Sequence, residues 1–367
     1  MGKYSGWISA SVLVLVFCLV VLQSPEQKRA EMNELRYLEH QAEAAIRSKG
    51  QSLRRHRDNH RQDDGRLEGL VRNDLTCLEA KHKVVSQEWP DPNQGRIYAR
   101  ETITTPHFRI SLHDKDYDPV RWRIMEEGKY YEDEVHQRFV EILENEPPQY
   151  VLDVGANIGY YTLLSAALGH HVISFEPNPA NVLRLCDSLR LNDWSNGQPD
   201  IHIFQNAVSN VHGEEMMLHS PRNPGQAFLK PIQGQDEETN DHKARTMVIS
   251  IDHLAEEQGW FQQEGFRIKL MKVDVEGKEP QVFLGCPKLL KSGIVEHILT
   301  EGRRFGRTNI QESFVVLFEA GYTIKEPKIP IQASLTPAEK AKSVCDWWLD
   351  KLGPNSQMVR DMWWIRA

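Results

Sequence analysis

The rhythm of hydrophobic and polar positions changes twice along the chain. Tyr4 to Pro25 carries no charged residue, and most of Ile8 to Leu22 is Val, Leu, Ile or Phe. Residues 26–90 are polar and rich in Glu, Gln, Arg and His. Within them Met32, Leu35, Leu38, Ala42 and Ala45 recur at helical spacing, which predicts one weakly amphipathic stem helix. Trp89-Pro90-Asp91-Pro92 marks a boundary. From about residue 100 short apolar runs alternate with amphipathic ones. Strands are predicted at Thr104–Leu112, Tyr150–Val154, His171–Phe175, Ile201–Val208, Thr246–Ile251, Ile268–Val275, Ile294–Glu301 and Met362–Arg366. Helices are predicted at Tyr130–Leu143, Tyr160–Leu168, Asn178–Asn192, Glu279–Leu290 and Gln311–Ala320. The first of these puts Val135, Phe139, Ile142 and Leu143 on one face, and Pro147-Pro148 stops it. Gly213–Thr246 reads as hairpins and loops laid over one edge. Such alternation predicts an α/β domain with a doubly wound, mostly parallel, Rossmann-like sheet.

Composition excludes several classes. The chain has 367 residues, 40% hydrophobic and 26% charged, with a net charge of -8. A multi-span membrane protein, a collagen and a wholly disordered chain are ruled out. The 22 uncharged residues from Tyr4 to Pro25 are long enough to cross a bilayer core of ~30 Å. Residues 1–25 are therefore expected to be a short tail and a transmembrane signal-anchor, followed by the stem at 26–90 and a catalytic domain at 91–367. A cleaved secretory signal and a buried core helix are the alternatives; Pro25 directly after Ser24 opposes cleavage. An anchor ahead of a long domain implies a type II single-pass protein of the endomembrane system, Golgi or endoplasmic reticulum. From Asp91 onward there are 30 basic and 40 acidic residues, so no nucleic-acid partner is expected. Cys77, Cys186, Cys286 and Cys345 are widely spaced, without zinc-ligand patterning. One or two bridges among them remain open.

The stretch that carries chemistry is Val151-Leu-Asp-Val-Gly-Ala-Asn-Ile-Gly159. A strand ends in a glycine turn and a helix begins, so backbone N–H groups face a ligand and Gly155 and Gly159 leave it room. The G-x-G-x-x-G of dinucleotide folds is absent. Instead Asp153 precedes the first glycine, where a carboxylate repels a pyrophosphate and suits an ammonium and a sulfonium. That pair of charges describes S-adenosylmethionine. Glu176 ends the next strand, 23 residues after Asp153, placed to accept ribose hydroxyls. Asn206 and Ala207 end the third strand beside the expected adenine.

In VLDVGANIGYYT (151–162), FEPNP (175–179), QNAVS (205–209), the strand ending at Asp252 and KVDVEGKEPQVFLG (272–285), the chain resembles the FkbM-type methyltransferases. Tyr131-Glu132 and Glu301 also fit that pattern. The resemblance covers roughly residues 100–367, with a cofactor core at about 150–302. It implies S-adenosylmethionine-dependent methyl transfer, usually to an oxygen of a hydroxyl or carboxyl acceptor such as a glycan or small molecule. Carried onto this sequence, the cofactor residues are Asp153, Gly155, Ala156, Asn157, Gly159, Glu176, Asn206, Ala207 and Glu132. The anchor and the stem lie outside the resemblance, and the Trp-rich tail (Trp347-Trp348, Trp363-Trp364) is not a feature the resemblance leads one to expect.

Asp274 and Glu276 follow the strand at 268–275 and are the expected catalytic carboxylates. A hydroxyl acceptor must lose its proton as the methyl group arrives, and a desolvated carboxylate can take it. Alternatively, Asp274, Glu276 and a further acid such as Glu301 hold Mg²⁺, which acidifies the hydroxyl; a helix-capping role for Glu276 stays open. His136, one helical turn after Glu132, is a third catalytic candidate. A competing reading from another class is a catalytically inactive, membrane-tethered adaptor that keeps the fold and binds a partner through its stem and Trp-rich tail.

Overall fold

A computed structural model describes residues 98–113, 119–128, 132–194, 199–219, 227–232, 243–302, 307–352 and 361–366. All belong to one unit, Val71–Ala367. The anchor and stem expected at 1–90 lie outside the described residues. Among the described residues no helix is long and apolar enough to cross a membrane.

The described chain begins with an antiparallel hairpin, β1 (Tyr98–Glu101) and β2 (Arg109–Leu112). The single strand predicted from Thr104 is thus only the second arm, because residues 102–108 form the turn. Helix α1 (Pro119–Glu127) was not predicted. Helix α2 (Asp133–Leu143) buries Val135, Phe139, Ile142 and Leu143, the face read from the sequence. Next come β3 (Tyr150–Val154), α3 (Tyr160–Ala167), β4 (His171–Phe175), α4 (Pro179–Leu191) and β5 (Ile201–Phe204), all close to expectation. The third predicted strand breaks after Phe204. Its end, β6 (Ala207–Val208), joins a different, four-stranded sheet with β7 (Glu214–His219), β8 (Phe228–Pro231) and β9 (Lys243–Ile249), in the order β6-β9-β7-β8.

The remaining elements are α5 (Ile251–Glu257), β10 (Ile268–Val273), α6 (Glu279–Leu284), α7 (Pro287–Ser292), β11 (Val295–Thr300), α8 (Arg307–Glu319), β12 (Tyr322–Glu326), α9 (Pro337–Leu352) and β13 (Met362–Arg366). Two predictions are corrected here. The helix read over 279–290 is two helices. A Cβ on Gly285 would lie 2.2 Å from the Ser209 carbonyl oxygen, and Pro287, with no N–H, begins the second helix. Asp252 does not end a strand. It lies in α5 and accepts the Lys288 and Leu289 N–H groups, both at 2.8 Å, at the start of α7.

The main sheet runs β12-β13-β11-β10-β3-β4-β5. The pairings among β11, β10, β3, β4 and β5 are parallel; β13 is antiparallel to both β11 and β12. From β3 the chain winds outward to β5. The later strands lie on the other side of β3, so the winding reverses between β3 and β10. Neighbouring residues in these strands feed opposite faces, as a period of two requires. Leu152, Met271, Ile298 and Trp364 join one core; Val151, Leu270, Leu299 and Trp363 join the other. Both faces are covered, which is why the strands read as unbroken apolar runs. Cys186 is disulfide-bonded, while Cys286 and Cys345 are buried.

Candidate active site

Open α/β sheets bind ligands outside the carboxyl ends of their strands, where the winding reverses. Here that place is a cleft of about 230 Å³ above β3, β4 and β10. Its floor is the turn after β3. Gly155 (φ 88°), Asn157 (φ 53°) and Gly159 (φ 91°) all adopt left-handed backbone there. The N–H groups of Gly155 and Ala156 both reach the Phe175 carbonyl at 2.9 Å, which stitches the turn to the end of β4.

The glycines have a different reason from the one expected. A Cβ on Gly155 would lie 1.9 Å from the Asp274 carbonyl oxygen, and one on Gly159 would lie 2.2 Å from Leu185 Cδ1. The room they leave is filled by protein. Gly155 lets the turn close against the end of β10, and Gly159 lets α3 pack on α4.

Of the residues expected to bind cofactor, Glu132, Gly155, Ala156, Asn157, Glu176, Asn206 and Ala207 line the cleft. Asp153 and Gly159 do not. Asp153 is 1% exposed and lies beneath the floor. Its Oδ2 accepts the Thr162 hydroxyl at 2.6 Å, and its Oδ1 has no hydrogen-bond partner. Burial raises its pKa, partly offset by Lys272. Glu176 is tied down by three donors: the N–H of Asn157 at 2.8 Å, the N–H of Asn178 at 2.9 Å and the Asn181 amide at 3.1 Å. Burial still pushes its carboxyl up to about 7. Glu132 accepts the Tyr161 hydroxyl at 2.7 Å. Burial pushes its carboxyl up to about 7 as well, against the pull of Lys272. Asn206 donates its side-chain amide to the Met247 carbonyl at 3.1 Å.

Asp274 and Glu276, the carboxylates expected to be catalytic, both stand at the cleft wall. Asp274 directly follows β10, its N–H bonded to the Val154 carbonyl at 3.0 Å. Glu276 has φ 57° and Gly277 φ 91°, so the backbone turns sharply under Glu276. A left-handed non-glycine residue costs about 1–2 kcal/mol. His136 does not line the cleft. Its Nδ1 lies 3.1 Å from the hydroxyl of Tyr160, and Tyr160 lines the cleft. The ring therefore meets the cleft through Tyr160, because α2 turns it toward α3.

Sequence reasoning missed Lys272, which is 6% exposed. Its Nζ donates to Asp274 Oδ2 at 2.8 Å and lies 4.8 Å from the centre of the Tyr161 ring. Burial alone would lower its pKa. The carboxylates of Asp274, Glu132 and Asp153 outweigh burial and raise it. The signal was present: a lysine in a strand whose other side chains are mostly apolar is a buried charge, and a buried charge needs partners. Glu279 was missed too; its Oε1 accepts the N–H groups of Val275 (2.9 Å) and Gly277 (3.1 Å) and fixes the turn that carries Glu276. Leu218, Phe228 and Leu229 of the four-stranded sheet, with Ala227 beside them, complete the wall, in the stretch that reads as hairpins and loops over one edge. Residues 325–345 do not line the cleft, and from Pro337 on they belong to α9.

Five carboxylates and two lysines line this cleft. Residues 153–324 match the family model of the methyltransferase FkbM domain. The match takes in Glu176, Asn206, Asp274 and Glu276; Glu132, just before α2, precedes it. The methyltransferase sdnD of Sordaria araneosa is 27% identical over 172 residues, 40% of this chain and 65% of that protein. The chain thus spans just under two thirds of that relative's length. Among solved structures, the methyltransferase FkbM from Methylobacillus flagellatus is 16% identical, with a TM-score of 0.28 over 42% of this chain and 32% of that one. A putative SAM-dependent methyltransferase from Streptococcus mutans is 9% identical, with a TM-score of 0.38 over 76% and 56%.

Proposed function

We propose that the domain transfers a methyl group from S-adenosylmethionine to an oxygen of a hydroxyl or carboxyl acceptor, such as a glycan or small molecule. The observation that carries this reading is the charge of the cleft. Acidic groups outnumber basic ones at the switch point of the sheet, and burial holds Glu132 and Glu176 near half-protonated at neutral pH. Such a site favours a ligand that brings positive charge, and the sulfonium and ammonium of S-adenosylmethionine do so. The match of residues 153–324 to the methyltransferase FkbM domain supports the same reading.

In this scheme Asn157, Glu176 and Asn206 hold the nucleoside, and Glu132 faces the methionine portion. Lys272 fixes Asp274 at the cleft wall, where the carboxylate receives the acceptor proton as the oxygen attacks. The methyl group moves in line from sulfur to oxygen, so the chain's main task is alignment and exclusion of water. No observation favours the adaptor alternative: Trp348, Trp363 and Trp364 of its supposed docking tail are all buried. The apolar run at 4–25 would tether the domain to a membrane, with Golgi or endoplasmic reticulum as the expected site.

The test is calorimetric titration of the full chain with S-adenosylmethionine. Saturable binding is expected, weakened about tenfold or more by Glu176→Ala, which removes an anchor of both the turn and the ribose. No binding by folded protein overturns the reading. Product methyl groups released by mild alkali would identify a carboxyl acceptor, and stable ones a hydroxyl acceptor.

A further inference from the structure

Three carboxylates meet where β10 and β11 end and α6 begins. Asp274, Glu279 and Glu301 each bring an oxygen within 4.8 Å of the other two. The sheet fixes two of them. Asp274 N–H binds the Val154 carbonyl, and Glu301 N–H binds the Val273 carbonyl, both at 3.0 Å. Glu279 is the first residue of α6 and is 2% exposed. Its Oε1 is taken by two backbone N–H groups, while its Oε2 is buried with no hydrogen-bond partner. A buried carboxylate oxygen without a partner is costly, by about 1–3 kcal/mol or more. Lys272 is bonded to Asp274 of this group.

We infer that Asp274, Glu279 and Glu301 form a site for one divalent cation. The donors are all carboxylate oxygens, which select a hard ion such as Mg²⁺, Mn²⁺ or Ca²⁺ over a thiophilic one. Glu279 replaces Glu276, the residue the sequence paired with Asp274, because it is Glu279 whose carboxylate lies within 4.8 Å of Asp274 and Glu301 and keeps a buried oxygen without a hydrogen-bond partner. Asp274 and Glu301 also line the cleft, so the ion would touch whatever the cleft holds. Its consequence for catalysis rests on the proposed methyl transfer: a hydroxyl bound to the ion gives up its proton more readily, and with Asp274 engaged as a ligand that proton leaves to solvent instead of to its carboxylate.

The experiment uses the full chain, stripped with a chelator and titrated with Mn²⁺ alone, followed by electron paramagnetic resonance and calorimetry. One Mn²⁺ per chain, displaced by Mg²⁺, is expected. Glu279→Gln keeps an acceptor for the two N–H groups but loses the anionic oxygen, so it should weaken Mn²⁺ at least about tenfold. Glu301→Gln should do the same, and it carries the test if the first variant fails to fold. Glu276→Gln should leave Mn²⁺ affinity unchanged. Absence of saturable binding of Mn²⁺, Mg²⁺ or Ca²⁺ up to about 10 mM overturns the inference. So does full affinity in both Glu279→Gln and Glu301→Gln, or loss on Glu276→Gln alone. A chain that binds S-adenosylmethionine but no metal removes this inference only; one that binds metal but no S-adenosylmethionine removes the methyl-transfer reading only.

Discussion

Glu132 and Glu176 differ from ordinary surface acids by where their side chains end, and the difference has a sign. In the unfolded chain they titrate near 4.5; burial lifts both to about 7 in the folded one. Between those values the folded state holds more protons, so stability from these two groups falls as pH rises. A ligand that brings positive charge to Glu132 and ribose hydroxyl donors to Glu176 reverses the preference, because both favour the ionised carboxylate. Binding of S-adenosylmethionine should therefore release protons near neutral pH and tighten between about pH 6 and 8. Thermal melts check both statements. Without ligand the midpoint should be higher at the lower pH, and the ligand-induced rise should be larger at the higher pH. A ligand-induced rise independent of pH would show that these acids do not face the ligand. At this scale the sequence was partly legible. The acid at the end of β4 could be named because a strand end has a fixed place in the sheet. That Asp153 lies below the floor could not be read, because Thr162 pulls it inward from a residue one helix away.

Elements were legible where periodicity was strong and blurred where a helix end is made by a distant side chain. Strands β3 and β4 and the buried face of α2 match expectation because their apolar spacing is decided within the segment. The break between α6 and α7 is not decided locally. Gly285 sits against the Ser209 backbone, and Asp252 in α5 supplies both oxygens to the first N–H groups of α7. A helix start without such an acceptor leaves those donors unsatisfied. Asp252→Ala should lower stability by about 1–2 kcal/mol, measured by urea denaturation, while leaving S-adenosylmethionine affinity intact. A large loss of affinity at unchanged stability would place Asp252 in the site instead. The same reasoning applies to α9, which is not among the predicted helices: its start at Pro337 follows a Pro- and Gln-containing stretch, and its burial comes from packing on α8.

For the whole domain, the decisive feature is how the last strand enters the sheet. β13 inserts between β11 and β12, antiparallel to both, and joins the two edges of the second half. The Trp-rich tail looked foreign to the rest of the chain because its role depends on this insertion, which no local pattern announces. Trp363 and Trp364 project to opposite faces and enter different cores. The indole N–H of Trp363 donates to His297 at 3.1 Å, and Trp364 packs on Phe314 and Phe318 at centroid distances of 5.3 and 5.4 Å. Removing one large buried aromatic costs about 3–5 kcal/mol, and these two side chains lose contacts in separate cores. Trp363→Ala with Trp364→Ala should then cost about 6–10 kcal/mol, comparable with the whole stability of a domain at about 5–15 kcal/mol. The double variant should show no cooperative urea transition, and each single variant a clear shift to lower denaturant. If the tail were a docking surface instead, each substitution would change stability by less than about 0.5 kcal/mol. Measured midpoints for the three proteins separate the two cases, because a partner surface and a sheet strand make opposite demands on the same pair of tryptophans.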